Sequence, residues 1–291
     1  MLTRLAELGE VEYLPFELRP DLGGAQETFT QLIIDRRLLL KGQWVCWLDL
    51  DEFLNIHLGK GTLEDLCSAM RGADGIRINW RMFGAEVHPP WPGRQLHASL
   101  CHCAPADHAE TSASVGQKTV KTFYRFAPGM TAGNHGPTLH YGSVLLRLRW
   151  LNGAGKSTRY IKALTILLAG EKGVHLTRSS SDPRFDWVQI NHYFLRHPSL
   201  IGWRQARGRG SNFIPENPNS PVRTEFTERH SPQYYARFNR TDDEDRSILR
   251  HLPAVDREMA RLLKDDSVRH WHEHAKARLA AYLAEASAAA E

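Results

Sequence analysis

Residues 44–54 read Trp-Val-Cys-Trp-Leu-Asp-Leu-Asp-Glu-Phe-Leu. An apolar run, Trp44–Leu48, breaks off into Asp49, Asp51 and Glu52. A short continuous apolar run bounded by polar residues is the pattern of a strand buried on both faces. In a strand, residues i and i+2 project to the same side, so Asp49 and Asp51 are expected to leave the strand's carboxyl end together. In an open parallel sheet that end is where ligands bind. Carboxylates this close repel unless a cation joins them. Hard oxygen donors suit Mg²⁺ or Mn²⁺, ions that proteins commonly hold through one or two carboxylates plus substrate phosphates. The alternative is a solvated strand end where the acids cap the next turn.

The flanking pattern sets the fold class. Leu2, Leu5, Ala6 and Leu8 share one face of a short helix, which Gly9 ends. Val11–Leu14 reads as a strand. Gln26–Lys41 has helical spacing at Phe29, Leu32, Ile33 and Leu40, with Gly42 to close it. Helix, strand, helix, strand in this order predicts an α/β chain, with a mostly parallel, Rossmann-like sheet flanked by helices. Thr62 opens a further helix with Asp65 in its first turn. Ile76, Ile78, Trp80 and Met82 alternate with Arg77, Asn79 and Arg81, a strand with two unlike faces.

Lys118–Phe126, Ser143–Trp150 and Trp187–Phe194 are further strand candidates. Residues 205–233, rich in Gly, Pro, Asn and Arg, read as a loop. Thr241-Asp242-Asp243-Glu244 fits a capping box that opens a helix. From Pro253 onward the pattern is helical, with an Ala-rich tail expected to fray. The expected division is a domain over 1–210, a linker over 211–240 and a helical segment over 241–291.

Composition narrows the class. At 291 residues and 42% apolar, the chain can build one large core or two small ones. A net charge of +4 suits contact with anions but is no nucleic-acid signature. The four cysteines form no disulfide framework in a chain this long. Cys101-His102-Cys103 lacks the second pair that a zinc site needs. Met1–Arg4 leads into a polar helix rather than a signal sequence. No apolar run reaches the roughly 20 residues of a membrane span. A cytoplasmic protein is expected, and peripheral membrane association is compatible with that. Gly153–Thr158, "GAGKST", resembles the tail of a phosphate-binding loop, but Trp150 stands where that motif needs its first glycine.

Four segments in order carry a resemblance. "WVCWLDLDEFL" resembles the Asp-x-Asp-Glu-Phe segment of family 2-like glycosyltransferases, a bacterial group related to the family 92 enzymes. "INWRMFG", Ile78–Gly84, resembles the group's Trp-x-x-Phe-Gly segment. "KTFYRF" from Lys121, with "NHGP" at Asn134–Pro137, resembles its Lys-x-x-x-Arg strand and His turn. "INHYFLRHPSLIGWRQARGRG", Ile190–Gly210, resembles its Asn-His-Tyr segment and the basic stretch after it. "LTRLAELGEVEYLP" resembles the end of the second β-α unit. The resemblance therefore implies a GT-A-like fold lacking its first units.

The resemblance also implies an activity, which is metal-dependent transfer of a sugar from a nucleotide-sugar donor to a glycan or polysaccharide acceptor, with inversion. Asp51 would bind Mn²⁺ or Mg²⁺, Asp49 would bind the ion or the donor, and His192 would be a further ligand. A hydrogen-bonded core position for His192 is the competing reading. Lys121 would contact donor phosphates, as would Arg204, Arg207 and Arg209, whose guanidinium groups grip phosphates bidentately. Phe83, Gly84 and His135 would border the acceptor sugar. Trp80 is read as core. Glu86 and His88, just beyond, are the nearest candidates for the general base. A haloacid-dehalogenase-type phosphatase with Asp49 as nucleophile, and a non-catalytic glycosyltransferase remnant, are the alternatives.

Overall fold

The structure, a computed structural model, describes residues 1–85, 95–107, 116–140, 148–158, 174–175, 180, 182–195, 198–203, 220–228 and 231–288. Its centre is β3, Gly75–Met82, buried along its whole length. β5 (Val120–Arg125) pairs antiparallel to it on one side, and β1 (Trp44–Cys46) pairs antiparallel to β5. On the other side β11 (Val188–His192) runs parallel to β3, and β2 (Glu52–Ile56) pairs antiparallel to β11. The order is β1-β5-β3-β11-β2. β8 (Trp150–Asn152) adds a second parallel pairing to β3 and carries β9 (Ser157–Thr158) antiparallel, while β6 (Met130–Thr131), β7 (Thr138–Leu139) and β10 (Val174–His175) form a separate small sheet in the order β10-β7-β6. The protein is thus mixed α/β, but its main sheet is mostly antiparallel rather than mostly parallel as the element order suggested. The physical reason lies in which strands become neighbours. β5 lies between β1 and β3 and runs antiparallel to both, and β11 lies between β3 and β2 and runs antiparallel to β2, so strands consecutive in sequence do not pair through parallel crossovers.

Cross-strand register assigns the two faces. Cys46, Phe123, Ile76, Ile78, Ile190, Leu54 and Ile56 share one face and form the main apolar core with Leu66 of α3, Leu63–Ala69, and Met70, which caps that helix. Each fully buried isoleucine there contributes on the order of 1.5–3 kcal/mol. The opposite face carries Arg77, Asn79, Arg81, Gln189, Asn191 and Asn55, all buried. Asn191 Oδ1 accepts from Gln189 Nε2 at 2.7 Å, and Gln189 Nε2 also donates to Asp245 at 2.8 Å. Asn55 Nδ2 donates to Ser247 Oγ at 2.8 Å, and Arg81 pairs with Asp243 at 2.9 Å.

This polar face explains a second departure from expectation. The acids at 242–245 do not start a helix. Asp243–Glu244 is a strand, β12, antiparallel to β4 (His102–Cys103), because the arginine and amides of the sheet recruit the carboxylates. Helix resumes as a 3₁₀ turn at Ser247–His251 and then as an α-helix at Leu252–Leu262. The 205–233 stretch, expected to be loop, contains a helix at Pro221–Glu228. A second, Pro232–Phe238, starts in it and is capped by Ser231. The C-terminal pattern divides after Leu262, and Asp266–Ala288 forms a separate long helix.

Near the amino end, α1 spans Leu2–Glu7 as expected, whereas 11–19 forms no strand. α2, Ala25–Asp35, stops short of Lys41. Arg37 takes a left-handed conformation (φ 49°), and Leu38 N–H bonds back to the Ile33 carbonyl, a turn that ends the helix without glycine. The 143–147 part of one expected strand lies outside the described residues. Among the described residues no helix is long and apolar enough to cross a membrane.

Candidate functional site

β1 ends at Cys46, so Asp49 and Asp51 do not share strand parity as their spacing suggested. They stand instead on a tight turn. Glu52 N–H donates to the Asp49 carbonyl at 3.0 Å, and the Glu52 carboxylate accepts from Asp49 N–H at 3.0 Å. Leu50, at the tip, is 99% exposed. The turn is tied down from the far side, where Tyr193 N–H donates to the Asp51 carbonyl at 2.9 Å.

Lys121 answers the repulsion among the acids. It lies on the core-facing parity of β5, opposite Ile78, with its side chain 1% exposed. Its Nζ is 3.2 Å from Asp49 Oδ2 and 3.1 Å from Glu52 Oε2. The Glu52 side chain is fully buried, whereas that of Asp49 is 40% exposed. The ammonium thus joins a carboxylate inside the protein to one at the surface. Burial pushes the Glu52 carboxyl up to about 7, against the opposing pull of Lys121. Asp49 Oδ1 accepts from Gln26 of α2 at 3.3 Å, and Gln26 in turn accepts from Asn134 at 2.9 Å.

Beside this turn, His192 is the cross-strand partner of Glu52, and its ring lies 4.1 Å from that of Trp80. The His135 ring sits 5.6 Å from the same indole and bonds through Nδ1 to the Val120 carbonyl at 3.0 Å. His135, His192 and Trp80 are all buried, and Trp80 belongs to the core. Phe83 is buried against Tyr193 and Cys103. Gly84 faces backbone: a Cβ there would lie 2.5 Å from the Arg240 carbonyl oxygen. Glu86, His88, Arg204, Arg207 and Arg209 lie outside the described residues. Asp49, Lys121 and His192 therefore gather around Glu52 at one end of the sheet, with His135 across Trp80, while Phe83 and Gly84 pack into the neighbouring elements.

Glu52, Gln26 and Asn134 are members of this network to which sequence reading gave no role. The signal for Glu52 was present: Glu52, Leu54 and Ile56 alternate on the core face, as do Lys121 and Phe123. One acid and one base on core parity in facing strands mark a buried pair.

Among the described residues no group of three or more His, Cys, Asp or Glu side chains converges as a metal cage. The donor chemistry of the turn, two carboxylates within one tight reversal, fits the kind of hard cation whose shell is completed by substrate phosphates and water. Comparison with protein-family models and with curated proteins returned no match for this chain.

Proposed function

We propose that this chain is a nucleotide-sugar-dependent glycosyltransferase with a GT-A-like domain, acting on a glycan or polysaccharide acceptor. One observation carries the reading. Lys121 Nζ, in the third of the family-like segments, bonds Asp49 and Glu52, in the first, at 3.2 and 3.1 Å. The second and fourth segments meet beside them, where Trp80 packs on His192. Segments far apart in sequence thus share one end of one sheet.

In this reading Asp49 and Asp51 hold Mn²⁺ or Mg²⁺ against the donor diphosphate. When bound, the ion offsets charge building on the leaving group. Lys121 acts behind them, fixing the Asp49 carboxylate so that little reorientation is needed on donor binding. Arg204 and Arg207 add phosphate contacts, His135 lies on the acceptor side, and Glu86 or His88 takes the acceptor proton.

The test is a calorimetric titration of UDP and of GDP into the purified chain, with and without Mn²⁺, beside Asp51→Ala. Metal-dependent nucleotide binding that Asp51→Ala abolishes is the expected result. Binding of neither nucleotide, or binding indifferent to Asp51, would overturn the reading. Trapping of a phosphoenzyme that Asp49→Asn removes would point to the phosphatase instead.

A further inference from the structure

A pair of potential metal ligands lies on the carboxy-terminal helix, Asp266–Ala288. Val268 is buried, and His272, Lys276, Leu279 and Tyr282 follow it as a half-buried stripe at helical spacing. Tyr282 packs on Trp203 at 6.0 Å, and Arg4 pairs with Asp265 just before the helix at 2.7 Å. That stripe fixes which way the helix faces. His270 and His274 fall on the opposite side and are exposed. They stand four residues apart, one turn on the same face. Their rings are 6.4 Å apart, centroid to centroid, with planes within 19°.

Two imidazoles one helical turn apart on an ordered helix form a bidentate pair for a borderline transition-metal ion, with metal–nitrogen bonds of roughly 2.0–2.1 Å. The side chains are free to rotate into that geometry because solvent surrounds them. The nearby carboxylates are already engaged, Glu273 by Lys276 at 3.1 Å and Asp266 by Arg269. Trp271, 47% exposed, lies 6.0 Å from each of the two rings.

We propose that His270 and His274 form a surface site for a divalent transition-metal ion such as Ni²⁺, Cu²⁺ or Zn²⁺, separate from the acidic turn. Two protein ligands leave the remaining positions to water, so the ion is exchangeable. It bridges successive turns and thereby ties the helix at that point.

The experiment is a calorimetric titration of NiCl₂ into the full, untagged chain. Wild type is compared with His270→Ala/His274→Ala and with His272→Ala, and circular dichroism verifies that each is folded. Alanine is the best helix former, so the double variant keeps the helix. Losing an outer-shell partner alone costs roughly 10–100-fold in metal affinity, so loss of both ligands is expected to weaken Ni²⁺ binding by about a hundredfold or more. His272→Ala should bind as wild type does. Equal affinity in wild type and the double variant, or a loss confined to His272→Ala, would overturn the proposal.

Discussion

The Lys121 ammonium lies 3.1 Å from the Glu52 carboxylate, and both side chains are sealed from solvent. An ion pair in that position is a weak source of net stability, because desolvating two charges offsets most of their attraction. Removing one partner is another matter, since it strands the other.

Lys121→Met should therefore destabilise the chain by about 3–5 kcal/mol at pH 8. Lowering the pH below the range in which Glu52 ionises should shrink that cost, because a neutral carboxyl no longer needs the ammonium. Urea unfolding of both proteins at pH 8 and pH 5.5 measures both effects. An equal loss at the two pH values would show that Lys121 acts by packing alone.

Glu52 gives the wild-type protein its own pH dependence. Its carboxyl is raised from an ordinary 4.5 to about 7. Between those values the folded chain keeps a proton that the unfolded chain has released, so stability falls as pH rises. The contribution is complete below about pH 4.5 and lost above about pH 7, a difference of about 3 kcal/mol. Glu52→Gln should flatten that part of the profile, measured by urea unfolding in metal-free buffer. A slope unchanged in Glu52→Gln would assign it to another group.

Gly84 has no room for a side chain. An added Cβ would sit 2.5 Å from the Arg240 carbonyl and 2.7 Å from Thr241 Cγ2. Gly84→Ala should cost about 1–3 kcal/mol, as overpacking does, by pushing away the segment that leads into β12. Thermal unfolding reads this directly, and a variant as stable as wild type would mean that the segment yields freely.

Asn191 links both sides of the buried polar face. It accepts from Gln189 and Asn55, at 2.7 and 3.3 Å, and donates to the Tyr193 hydroxyl at 3.2 Å. Asn191→Ala should cost about 2–3 kcal/mol, because its partners stay buried with bonds unmade. Tyr193 also anchors the acidic turn through its backbone, so faster amide exchange at 49–52 should accompany the loss. Hydrogen exchange that stays at the wild-type rate there would separate the polar face from the turn.

The elements that the sequence made legible are those with an unbroken period or a chemical stop. The alternation over 76–82, the helix start at Thr62 and the short first helix all stand where their residues place them. What escaped depended on distant partners. Strand direction around β3 is decided by contacts with β11 and β5, which local pattern does not encode. The end of α2 turns on Arg37 in a conformation usually left to glycine. The acids at 243–245 pair with the sheet, so their capping pattern was outcompeted by Arg81 and Gln189. At the site, the acids of the turn and Lys121 were visible as residues. Their joining through a buried Glu52 was visible only as two parities that had to be compared.

The strand order has a consequence for synthesis. β2 borders only β11 in the path of the sheet, and the Asn55–Asn191 bond between them spans 136 positions. At translation speeds of about 5–20 residues per second, the wait between the two is on the order of ten seconds. For that interval Phe53, Leu54 and Ile56 leave the ribosome with no neighbouring strand to cover them. The segment that carries the acids is thus a stretch of the nascent chain that a chaperone would have reason to shield.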